Sequence, residues 1–92
     1  MAAGGQTGGA LVGIDWGDRS FVVSVEVLTD TLAGSPYYND PRIREILASL
    51  GARPTPGEFE RIIRSFNQLP QDWRVELRDS AEMIARLRAA AD

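Results

Sequence analysis

The stretch Leu11 to Leu28, LVGIDWGDRSFVVSVEVL, holds the longest period-two apolar pattern in the chain, and the rest has to pack on it. Phe21, Val23, Val25 and Val27 alternate with Val22, Ser24, Glu26 and Leu28, which predicts a strand from Phe21 to Leu28 with one branched or aromatic row on one face. A shorter apolar run, Leu11 to Ile14, precedes it. Asp15-Trp16-Gly17-Asp18-Arg19 lies between the two, and a Gly-Asp turn joining two β-prone runs predicts a hairpin.

Working outward from the hairpin, Thr29 to Asp40 carries Gly34, Pro36 and Asn39-Asp40, which is loop chemistry with room for a short turn at Asp30 to Ala33. Tyr37-Tyr38 sits inside that loop. Asp40 then serves as an N-cap and Pro41 fills the first helical position, where its missing donor costs nothing. Ile43, Ile46, Leu47 and Leu50 follow at helical spacing, and Gly51 with Pro54 beyond it predicts the stop. Thr55-Pro56-Gly57-Glu58 has the spacing of a capping box, and Phe59, Ile62, Ile63 and Phe66 line the helix that it opens. Only Gly51 to Thr55 separates these helices, so they are predicted to lie as an antiparallel or steeply crossed pair.

The last third reads two ways. Trp73, Val75 and Leu77 alternate with Arg74, Glu76 and Arg78, which suits a half-exposed third strand at 73–77. The same region fits one long helix from Pro70, with Trp73, Leu77, Ala81, Ile84 and Leu87 on its apolar face. The strand is favoured, because Asp79-Ser80-Ala81-Glu82 would be a second capping box and its cap would be wasted inside a helix. A final helix, Ser80 to Ala91, is then expected to bury Met83, Ile84, Leu87, Ala90 and Ala91. Glu60 with Arg64 and Glu82 with Arg86 are expected as i,i+4 pairs on wet faces. The fold expected is α+β: an N-terminal hairpin, with a third strand near 73–77, packed against three helices. Residues 1–9 read as a flexible Gly-rich tail, and 10–92 as a single small domain.

Composition narrows the chemistry. Ninety-two residues suit one core, since single domains are typically complete within ~100 to 150 residues. A hydrophobic fraction of 43% with 25% charged residues is ordinary for a globular chain. The net charge of -3, with ten Arg interspersed among thirteen acids, gives no basic face, and nucleic acid is not an expected partner. There is no Cys, no His and no Lys. Thiol nucleophiles, imidazole bases, disulfides, the usual zinc ligand sets and Schiff-base lysines are therefore excluded, and the serines have no evident base. An all-Arg cation set reads as the imprint of a GC-rich, bacterial-like genome. No apolar run approaches the ~20 residues of a membrane span, so no membrane partner is expected and a soluble cytoplasmic protein is.

Val12-Gly13-Ile14-Asp15-Trp16-Gly17-Asp18-Arg19, followed by the strand from Phe21, resembles the first hairpin of RNase H-like and actin-like folds over about eighteen residues. In the nucleases that resemblance implies Asp15 as a metal ligand; in the phosphotransferases it implies a phosphate-cradling turn. Those folds continue with a third strand and a crossover helix, whereas this chain turns to loop and helices after Leu28. Read from the residues themselves, Asp15, Gly17 and Asp18 are turn-formers.

What remains is surface. Trp16 at a hairpin tip and Tyr37-Tyr38 in a loop are large aromatics where core demand is weakest, and such side chains are enriched in binding hot spots. The functional expectation is a non-catalytic protein-interaction or assembly module, without cofactor, that contacts another protein or its own copy through Trp16, Tyr37 and Tyr38. The alternatives are a fragment or degenerate form of an RNase H-like metal nuclease built on Asp15, and a structural subunit of a larger particle with an ordered N-terminal arm.

Overall fold

Asp15, Gly17 and Asp18 do close a hairpin. The computed structural model of the protein describes residues 11–91, with side chains to Ala90, and in it β1 (Leu11–Asp15) pairs antiparallel with β2 (Ser20–Ser24). The predicted tail 1–9 lies outside the described residues. Val12 faces Val23 and Ile14 faces Phe21 across the ladder, so the core row of each strand meets that of the other. The Trp16 N–H donates to the Arg19 carbonyl at 2.8 Å, which leaves Gly17 and Asp18 as the central residues of the turn. Gly17 has φ +99°, a backbone conformation that favours glycine, and a Cβ there would meet Val75 Cγ2 at 3.0 Å.

The predicted strand from Phe21 to Leu28 ends early. Ser24, at φ -75° and ψ 158°, caps helix α1 (Val25–Ala33) by accepting the Val27 N–H at 3.1 Å. The switch follows from burial: Val27, Leu28, Thr31 and Leu32 repeat at helical spacing and all are buried, which a strand could not achieve with adjacent residues on opposite faces. The Thr31 hydroxyl is satisfied by donating to the Val27 carbonyl at 2.7 Å. The expected loop therefore shrinks to Gly34–Asp40.

Helices α2 (Pro41–Gly51) and α3 (Pro56–Asn67) start as predicted. Asp40 accepts the Arg42 N–H at 2.8 Å, and Thr55 and Glu58 form the reciprocal capping box. Gly51 proves to be the last helical residue of α2, and the positive φ beyond it, 56°, belongs to Arg53.

The strand at 73–77 does not form. Gln71–Ala91 is one helix, α4, and Asp79 receives an Arg78 guanidinium N–H at 2.7 Å instead of capping a new start. The reason lies on the hairpin. The Gln71 side-chain amide donates to the Gly17 carbonyl at 2.9 Å, Arg74 donates to the Asp15 carbonyl at 3.2 Å, Arg78 pairs with Asp18, and Glu82 pairs with Arg19 at 3.0 Å. Positions 71, 74, 78 and 82 share one face only in a helix. Glu82 thus pairs with the hairpin and not with Arg86, and no Glu60–Arg64 pair forms among the described residues. The expected burial of Met83, Leu87 and Ala90 is also overturned: Met83 is 60% and Leu87 63% exposed, because α1 packs along the Leu77 and Ala81 side of α4 instead.

The architecture is therefore α+β, a two-stranded N-terminal hairpin followed by four helices. Buried side chains from all six elements meet in one core around Trp16, Phe66, Ile14, Leu28 and Leu32.

Candidate interaction surface

The predicted contact residues part company in the structure. Trp16 is fully buried, which removes it from any surface role. Its ring stacks on Phe21 and meets Phe66 edge-on, both with centroids 5.2 Å away, and its indole N–H is buried with no acceptor among the described residues. A tryptophan beside a turn was expected at the tip; here the chain folds it inward under α3, where its area counts most.

Tyr37 and Tyr38 divide the work of their loop. The half-buried Tyr37 ring lies parallel to Trp73 of α4, with centroids 4.2 Å apart, and its hydroxyl donates to Glu76. That hydrogen bond, with burial and the negative charges of Glu76 and Asp72 behind it, raises the Tyr37 pKa above that of an ordinary phenol. The Arg42 guanidinium lies 5.0 Å from the Trp73 ring centroid while its edge holds Asp40, whose pKa it lowers. The loop and the start of α2 are fastened to α4 by this group. Tyr38, 44% exposed, is the member left for contact.

Asp15 belongs to the turn. One carboxylate oxygen accepts the Gly17 N–H at 2.9 Å and lies 3.3 Å from the Arg74 guanidinium. Among the described residues there is no group of three or more His, Cys, Asp or Glu side chains that could hold a metal ion. Nor, among them, is any helix long and apolar enough to cross a membrane.

The surface that sequence reading missed is the outer side of the hairpin. With Val12, Ile14 and Val23 turned into the core, alternation sends Leu11, Gly13, Ser20 and Val22 outward, and Leu11 and Val22 are 69% and 58% exposed. Val22 stands opposite Gly13, which has no side chain to cover it. It also forms a ridge between two depressions. One, of about 390 Å³, is lined by Gly13, Asp15, Ser20 and Asn67. The other, of about 640 Å³, is lined by Arg19 and by Phe21 to Ser24 of β2, and has Val27 of α1 and Glu82, Ala85 and Arg86 of α4 as its far wall. No family model, curated protein or solved structure matches this chain. The signal in the sequence was Val22 itself, an apolar residue in the polar register of an alternating strand.

Proposed function

We propose that this chain is a non-catalytic, cytoplasmic protein-interaction module that binds its partner through the outer face of the hairpin and the groove beside β2. The observation that carries the reading is the exposed Val22 ridge, flanked by two depressions and continued by Leu11 on the same face. Exposed apolar side chains gathered beside a concave surface mark sites of association, whereas scattered single ones do not. Tyr38 adds an aromatic with a polar tip on a loop that Tyr37 holds in place. Asp15 takes a turn-forming part in this reading, engaged by Gly17 and Arg74.

The test is site-specific photo-crosslinking in the organism that makes the protein, with a photoreactive residue at Val22 and, as control, at Glu60 on the exposed side of α3. A discrete adduct from position 22, with its partner named by mass spectrometry and no equivalent from position 60, is the expected result. Equal labelling from both positions, or none from either, would overturn the reading.

A further inference from the structure

The groove beside β2 has one wall made of strand edge. Because Trp16 and Arg19 form a hydrogen-bonded pair, the alternation of an antiparallel ladder makes Ile14–Phe21 and Val12–Val23 hydrogen-bonded pairs too, and Gly13–Val22 and Asp15–Ser20 non-bonded ones. The backbone N–H and C=O groups of Ser20 and Val22 therefore point away from β1, and Val22 places its pair on the lining of the groove. Among the described residues the sheet has two strands, so nothing pairs with them. Natural edges are usually blunted by proline, by inward charges or by a covering element. Ser20-Phe21-Val22-Val23-Ser24 has no proline and no charge, and Arg19 at its end is drawn off by Glu82.

We infer that this groove receives an extended, acidic segment of another protein as a third strand beside β2. The inference rests on the interaction reading above and names the chemistry of the partner. Five residues of β2 offer a pairing length of ~16 Å, enough for a short extended peptide. On the added strand, alternate side chains would face Val23, Val27 and Ala85 across the groove, and the others would lie beside Val22 on the outer face. Main-chain pairing supplies the affinity in this mode and alternate side-chain pockets the selection. The sign of the partner follows from the rim: Arg19 and Glu82 offset one another at 3.0 Å, while Arg86 makes no ion pair among the described residues. The remaining charge is positive and calls for a carboxylate.

The experiment uses the full chain and three fluorescent octapeptides with blocked ends: alternating valine and glutamate, alternating valine and lysine, and the glutamate peptide N-methylated at every second residue. The glutamate peptide should bind by anisotropy about tenfold or more tightly than either of the others, with amide shifts at Ser20 and Val22. Arg86→Glu should bring its affinity down toward that of the lysine peptide. Binding that survives both N-methylation and Arg86→Glu, or no binding at all, would overturn the inference. If the crosslink from position 22 still forms in that case, the interaction reading stands and only the strand-pairing chemistry fails. A chain that sediments as a dimer without peptide, and as a monomer after Val22→Arg, would show the edge occupied by a second copy and would equally overturn it.

Discussion

Tyr37 is the residue whose environment makes the most direct statement about solution behaviour. Its neutral phenol donates to Glu76, so ionisation would remove the donor and place a new negative charge beside Glu76 and Asp72. A group whose folded pKa lies above its unfolded value contributes stability that is present below the unfolded pKa, ~10 for tyrosine, and lost as pH rises through the folded one. Tyr38→Phe leaves Tyr37 as the sole tyrosine. Its absorbance titration near 295 nm should then have a midpoint above that of an ordinary tyrosine, and a midpoint at or below ~10 would show the Glu76 contact to be absent in solution. The split between Tyr37 and Tyr38 was not legible as a local pattern, since the pair sits in a turn closed by Tyr38 N–H to Ser35 and Asp40 N–H to Tyr37, and Trp73 and Glu76 of α4 decide which ring is held. Nor was the burial of Trp16. Nothing adjacent to it in sequence reveals that Phe66, fifty residues on, supplies the other half of its cage.

At the scale of elements, α4 is held to the hairpin by two unlike kinds of contact, and their magnitudes differ. Arg78 with Asp18, and Arg19 with Glu82, are partly exposed ion pairs of a class that adds little net stability, because solvent screens them and two long side chains must be held still. Leu77, 1% exposed, sits in the core, and truncating such a residue costs ~2 to 5 kcal/mol. Leu77→Ala should therefore lower the denaturation midpoint far more than Arg78→Ala, with both variants folded in water. The reverse order would mean that the polar face, and not packing, fastens α4. This division explains what the sequence hid. Trp73, Val75 and Leu77 alternate as strand residues do, and the helical order of Gln71, Arg74, Arg78 and Glu82 has meaning only once their partners on the hairpin turn are known. The start of α1 was masked in the same way, because Val25 and Val27 are β-branched and Ser24 reads equally as strand or cap. By contrast α2 and α3 were legible because Asp40-Pro41 and the Thr55–Glu58 box are local signals.

For the whole molecule, the question is whether six elements around one cluster unfold as one. Trp16 and Phe66 join the hairpin to α3, Ile46 and Ile62 join α2 to α3, and Leu28 and Leu32 bring α1 into the same cluster. The proposed interaction surface depends on that unity, because its groove is built from β2 on one side and from α1 and α4 on the other. Ile46 is 2% exposed on α2, distant in sequence from the groove, and its truncation to alanine should cost ~2 to 5 kcal/mol of the ~5 to 15 available to a small domain. In a Trp73→Phe background the fluorescence of Trp16 reports the hairpin and its contact with Phe66 of α3, while far-UV circular dichroism reports the helices as a whole. If the core is shared, Ile46→Ala must shift both transitions together and by the same free energy, since a two-state chain has no way to lose α2 while keeping the hairpin. Were the helical signal to fall first and the Trp16 signal to remain at its original midpoint, α2 would be an appendage, and the β2 groove would owe nothing to it.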